Sequence, residues 1–119
     1  MNTHTHLESE LAQFIGAEHL YRLTRRHLMT DGVKYLCDKA KCYWLMDAVA
    51  SHLSWTYEDH FAVARLVVTN QCASLTLDDG NDHIFASQLI PFTDFPLTTI
   101  KLYCCFDEDH WTIMLPTEY

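Results

Sequence analysis

Cys105 and His110 come nearest to chemistry by residue type and spacing, because they flank the acidic stretch Asp107-Glu108-Asp109 and can stand on one face of a hairpin. An imidazole there could take the thiol proton, with Asp107 or Asp109 orienting the ring, as a thiol-dependent hydrolase or transferase requires. No oxyanion-hole glycine accompanies the pair. The chain has only three glycines, Gly16, Gly32 and Gly80, which excludes glycine-rich dinucleotide and phosphate cradles. A non-catalytic exposed face is the simpler expectation. Ser51-His52 lacks a Gly-x-Ser-x-Gly context, so His52 is expected to meet the last carbonyls of a helix or to cap the core.

Eight histidines and five cysteines are many for 119 residues, yet none is spaced to grip a metal. Cys37 and Cys42 lie five positions apart with no second ligand pair to complete a knuckle, His4 and His6 fall in a terminal stretch, and no His-Glu-x-x-His helix occurs. Cys104 and Cys105 point to opposite faces of any strand. Asp78-Asp79-Gly80-Asn81-Asp82 lacks the spaced ligands and distal Glu of a calcium loop, and reads as a type I′ or similar hairpin turn. No metal and no cofactor are expected, and the cysteines read as small buried hydrophobes.

Charge is segregated along the chain. Six of the eight Lys and Arg residues lie between Arg22 and Lys41, whereas only Arg65 and Lys101 oppose the carboxylates that follow. The formal net charge is −8. Such a surface repels nucleic-acid backbones and favours cationic partners. The candidate binding residues are therefore Asp78, Asp79, Asp82, Asp107, Glu108 and Asp109, with Tyr103 on the adjoining sheet face; the plainer reading is that hairpin tips favour Asp. Arg22-Leu23-Thr24-Arg25-Arg26-His27 is too short and lacks a groove-reading motif, so it is expected to be a solvated helix edge or to meet an acidic segment of the same chain.

The elements that position these residues follow from hydrophobic period. Up to Leu53 the spacing is helical, and from Phe61 it alternates. Over Thr30–Leu53, Val33, Leu36, Cys37, Ala40, Trp44, Ala48 and His52 form one stripe, Thr30 or Asp31 can cap the start, and Lys39–Cys42 can break the segment into two helices. Leu7, Leu11, Phe14 and Ile15 suggest a short first helix, with Thr5 as cap and Gly16 as stop. Strands are expected at about 61–69, 72–78, 83–90, 99–106 and 110–115, with Pro91–Pro96 outside the ladder. With Glu108-Asp109 as turn, Leu102, Cys104 and Phe106 share the core face with Trp111, Ile113 and Leu115; Lys101, Tyr103 and Cys105 share the outer face with His110, Thr112 and Met114. The second strand agrees, with Ala73, Leu75 and Leu77 inward. These patterns predict an α+β fold, N-terminal helices packed on one face of a C-terminal antiparallel sheet of about five strands.

Length and 49% hydrophobic content suit one domain over 1–119, mainly helical to 56 and mainly β from 57. No apolar stretch approaches the roughly 20 residues of a membrane span, and there is no basic-plus-apolar leader. The odd cysteine count suits a reducing compartment, so a cytoplasmic location is expected.

Thr30-Asp31-Gly32-Val33-Lys34-Tyr35-Leu36, Tyr43–His52, Phe92-Thr93-Asp94-Phe95-Pro96-Leu97 and Leu115-Pro116-Thr117-Glu118-Tyr119 together resemble a family of small uncharacterised proteins of bacteria, plasmids and phages. The resemblance covers nearly the whole chain and implies no activity and no catalytic residues. It does imply a mobile-element setting, in which a protein that binds and inhibits a host factor is at home. Lys41-Cys42 departs from the small residues expected there, which argues against Cys42 as an essential ligand.

The sequence thus points to a non-enzymatic binding or inhibitory protein whose acidic face engages a basic surface of a protein partner, with no direct nucleic-acid binding. One alternative is the Cys105/His110 enzyme. Another is a structural protein that forms homo-oligomers through the outer sheet face around Arg65, Tyr103 and Met114.

Overall fold

The computed structural model of the chain describes residues 3–15, 19–53, 60–107 and 109–119, with the backbone alone over residues 3–6. In order these form α1 (Thr3–Leu11), β1 (Leu20–Arg22), β2 (His27–Thr30), α2 (Asp31–Ala40), α3 (Tyr43–His52), β3 (Phe61–Thr69), β4 (Cys72–Asp78), β5 (Ile84–Ile90), β6 (Thr99–Asp107), β7 (His110–Met114) and a 3-10 turn, Pro116–Glu118. All seven strands join one sheet in the order β1-β2-β7-β6-β3-β4-β5.

The expected fold is corrected on two counts. The molecule is mostly sheet, with few and short helices, and the sheet is mixed rather than antiparallel: β2 runs parallel to β7, pairing His27 with Trp111 and Met29 with Ile113. Its two additional strands come from the N-terminal part, expected to be mainly helical. β1 and β2 are three and four residues long, too short to display alternation, and β2 meets β7 only through a long-range contact. The basic segment Arg22–His27 is accordingly the connection of a hairpin, not the edge of a helix.

The other strands fall within one residue of the expected spans. Asn70 and Gln71 both take positive φ, 51° and 65°, in the two-residue connection of β3 and β4, the conformation a type I′ turn requires. The Asp79–His83 connection is longer and is not such a turn. There the Asp79 amide donates to the His83 carbonyl, and Gly80 and Asp82 take φ of 89° and 67°.

Asp107 pairs with His110 and Cys104 with Ile113, the register that places Leu102, Cys104, Trp111, Ile113 and Leu115 in the core. Phe106, on the same face, is only half-buried and stacks edge-on against Trp111. One apolar cluster joins these residues to Val33 and Leu36 of α2 and to Leu45, Met46 and Val49 of α3. Thr30 caps α2 by accepting a hydrogen bond from the Val33 amide. Lys41 ends that helix in the left-handed conformation, φ 55°, so α3 starts in a new phase. As a result Leu45, Met46, Val49 and Ala50 are buried, while Trp44, Ala48 and His52, expected on the core stripe, are only half-buried. The expected cap at Thr5 and stop at Gly16 lie outside the described residues and side chains.

Candidate functional site

The outer face of the sheet carries the residues singled out for chemistry. Cys105 lies opposite Phe61 and Thr112, and His110 lies opposite Asp107, so thiol and imidazole share that face. No hydrogen bond joins them among the described residues. His110 Nδ1 instead meets Asp109 Oδ1 at 3.0 Å, which holds the Asp109 carboxyl below its ordinary value. Burial pushes the Cys105 thiol upward, away from the thiolate that a nucleophile needs. The pair shares a face without forming an activated dyad.

The other thiols are no better poised. A hydrogen bond with Cys37, together with burial, raises Cys42, and burial raises Cys104. Among the described residues no group of three or more His, Cys, Asp or Glu side chains could hold a metal ion, and no helix is long and apolar enough to cross a membrane.

The acidic turns share one end of the sheet. β4 and β6 are each antiparallel to β3, which lies between them, so the turns that follow β4 and β6 emerge on the same side. Their carboxylates differ in availability. Asp78 is 3% exposed and binds Arg65 Nε at 2.9 Å, so it is not part of the acidic surface. Asp79 shapes its own turn by accepting from the amides of Asn81 and His83 and pairing with the His83 ring, and these bonds lower its pKa. Asp82, Asp107 and Asp109 stand exposed, and Glu108 lies outside the described residues. The β1–β2 connection closes on this end too: Arg26 Nη1 donates to the Asp109 carbonyl at 3.4 Å, and the Trp111 amide donates to the Arg26 carbonyl at 2.7 Å. The basic segment therefore does meet an acidic one. Tyr103 lies farther along the outer face in an aromatic trio with Phe61 and Tyr119, all ring centroids 5.3–5.4 Å apart. Tyr119 thus packs on this face beside β3 and β6, while farther across the sheet Val67 and Leu89, both opposite Ser74, are 51% and 74% exposed.

Sequence reasoning missed Glu118. Its buried carboxylate accepts from Thr30 Oγ1 at 2.6 Å, from the Gly32 amide at 3.1 Å and from the Leu115 amide at 3.0 Å, placing an anion at the start of α2. The first turn of that helix and the 3-10 turn are thereby clasped together. Gly32 makes the approach feasible, since a Cβ there would lie 2.5 Å from Leu115 Cδ1 and 2.7 Å from Glu118 Oε1. Thr30-Asp31-Gly32 and Leu115–Tyr119, read above as separate segments of one resemblance, are one contact in the fold. An exposed-looking Pro-Thr-Glu-Tyr stretch gives no local signal of a buried carboxylate.

A cavity of about 590 Å³ opens where α1, the start of β6 and the 3-10 turn meet, at the end of the sheet away from the acidic turns. Arg65 and Lys101 line it, beside the hydroxyl-bearing Thr99 and Thr117 and the apolar Leu97 and Leu115. Neither the cavity nor its cationic pair was anticipated, although Arg65 and Lys101 are the only Lys or Arg residues after residue 41.

The model of a family of unknown function, DUF6876, matches residues 5–119. No curated protein matches the chain. Among solved structures it is similar to the crystal structure of a protein of unknown function from Enterococcus faecalis, at 16% identity, with 85% of this chain and 98% of that chain covered and a TM-score of 0.46.

Proposed function

The chain belongs to a family of unknown function, DUF6876, and since that membership carries no activity with it, we propose from the site alone that it is a non-enzymatic binding protein. It engages a protein partner through the outer face of the sheet and uses its exposed carboxylates to attract a basic surface. The observation that carries this reading is the uncovered row across β3, β4 and β5, where Val67 and Leu89 flank Ser74 on a hairpin whose far turn presents Asp82. Exposed apolar side chains rimmed by charge are the usual mark of a protein-binding surface. The raised Cys105 thiol supports a binder over the thiol-dependent enzyme. A cytoplasmic setting in bacteria, on a plasmid or phage and with inhibition of a host factor as the outcome, is the biological form of this proposal.

The test is capture from a bacterial lysate by the unmodified chain, by Leu89→Asp and by Asp82→Asn/Asp107→Asn, each at low and at physiological salt. A partner held by the unmodified chain should be lost with Leu89→Asp. With the carboxamide variant its association should slow, and the salt dependence should flatten, because exposed charges act only within about 8–10 Å in salt. Identical capture by all three chains would remove the sheet face from consideration.

A further inference from the structure

The sheet sets the only two Lys or Arg residues after residue 41 directly opposite each other, Arg65 on β3 and Lys101 on β6. Opposed like charges on one sheet face are unfavourable, so this juxtaposition runs against what the fold alone would select. Arg65 is also held in place. Its Nε donates to Asp78 Oδ2 at 2.9 Å, and Asp78 is itself fixed by the Gly80 amide, which donates to Oδ1 at 2.8 Å. That single bond through Nε leaves both terminal Nη groups of Arg65 without a hydrogen-bond partner among the described residues. Lys101 Nζ meets no carboxylate among them, and its recorded contact is the Tyr103 ring, 5.5 Å from the centroid.

Both cations line the cavity of about 590 Å³, a size suited to a small organic ligand. Its lining combines Arg65, Lys101 and the hydroxyl-bearing Thr99 with apolar Leu97 and Leu115. Glu8 on α1 also lines it, which disfavours a head group carrying more than one negative charge. We propose that this cavity binds a small amphipathic carboxylate, whose head is paired by the Arg65 fork and Lys101 and whose apolar body lies against Leu97 and Leu115. A guanidinium tethered through Nε keeps its other edge free for the two parallel bonds a carboxylate accepts. The site lies toward the opposite end of the sheet from the acidic turns; it adjoins the apolar row at Val67 but does not depend on the protein-binding role proposed above.

Decanoate, kept below its micelle concentration, is the probe, titrated into the full chain by calorimetry and by amide chemical shifts. Decanol supplies the body without the charge, and inorganic phosphate the charge without the body. Saturable decanoate binding is expected, with shifts at Arg65, Thr99 and Lys101, and binding of decanol and phosphate weaker by about tenfold or more. Lys101→Ala should weaken decanoate by about tenfold, and Arg65→Lys, which retains a cation for Asp78, should weaken it similarly; unchanged urea midpoints would show both variants folded. Leu89→Asp should bind decanoate normally. Decanol binding as tightly as decanoate would reduce the site to an apolar groove, and phosphate binding as tightly would reduce it to a bare anion site. Either result, no saturable binding, or full affinity in folded Lys101→Ala overturns the proposal.

Discussion

Single residues carry the clasp between α2 and the 3-10 turn, and its energetics follow from what surrounds the Glu118 carboxylate. Gly32→Ala drives a methyl into Leu115 and Glu118, so urea melts should show a loss of about 2–3 kcal/mol, comparable to removing a buried, charge-assisted hydrogen-bond acceptor. Glu118→Gln should cost less, because an amide oxygen still accepts from part of the same donor set. Trp111→Ala should cost about 3–5 kcal/mol and Thr112→Ala little, since the first side chain is 1% exposed and the second lies on the outer face. That contrast was legible from alternation alone. The clasp was not, because Thr30 and Glu118 are 88 residues apart and neither looks unusual in its own neighbourhood. The Cys105 thiol gives a further check: with burial holding it above the ordinary thiol value, iodoacetamide should modify it more slowly at pH 7 than exposed Cys72. His110→Ala should leave that rate unchanged.

At the scale of elements, two connections place a residue other than Gly, Asn or Asp in a left-handed backbone. Lys41 closes α2 at φ 55°, and Gln71 fills the second position of the β3–β4 turn at φ 65°. Glycine takes this conformation without a Cβ penalty, so Lys41→Gly and Gln71→Gly should each raise stability by roughly 0.5–1 kcal/mol, read as higher urea midpoints with unchanged slopes. Lys41 also explains where the helical pattern misled. A stripe drawn continuously from Val33 to His52 assumes one uninterrupted helix, and the left-handed residue resets the phase, so Leu45 and Met46 replace Trp44 as core residues. The five C-terminal strands were legible because each is five residues or longer and bounded by turn residues. β1 and β2 lacked both signals.

For the whole molecule, the sequence displays how charge is distributed along the chain but not how the sheet redistributes it in space. Topology gathers the β4–β5 and β6–β7 turns at one end, adds the arginine-bearing connection of β1 and β2 beside them, and leaves Arg65 and Lys101 facing a cavity toward the other. Asp79 and Asp109 are both held below the ordinary carboxyl value in the folded chain, Asp79 chiefly by the Asn81 amide and Asp109 by the His110 ring. Their contribution is therefore complete above the unfolded carboxyl range and lost as pH falls through the lower folded values. Denaturation followed by circular dichroism should accordingly show stability declining below about pH 4. Asp79→Asn should flatten that decline. The parallel pairing of β2 with β7 has a consequence in time as well as in space. On the ribosome, residues 27–29 emerge long before Trp111–Ile113, the segment that separates them from the remainder of the sheet. The earliest strands to be synthesised thus wait for one of the latest, and a nascent chain halted before residue 111 leaves its first hairpin without the neighbour that fixes it.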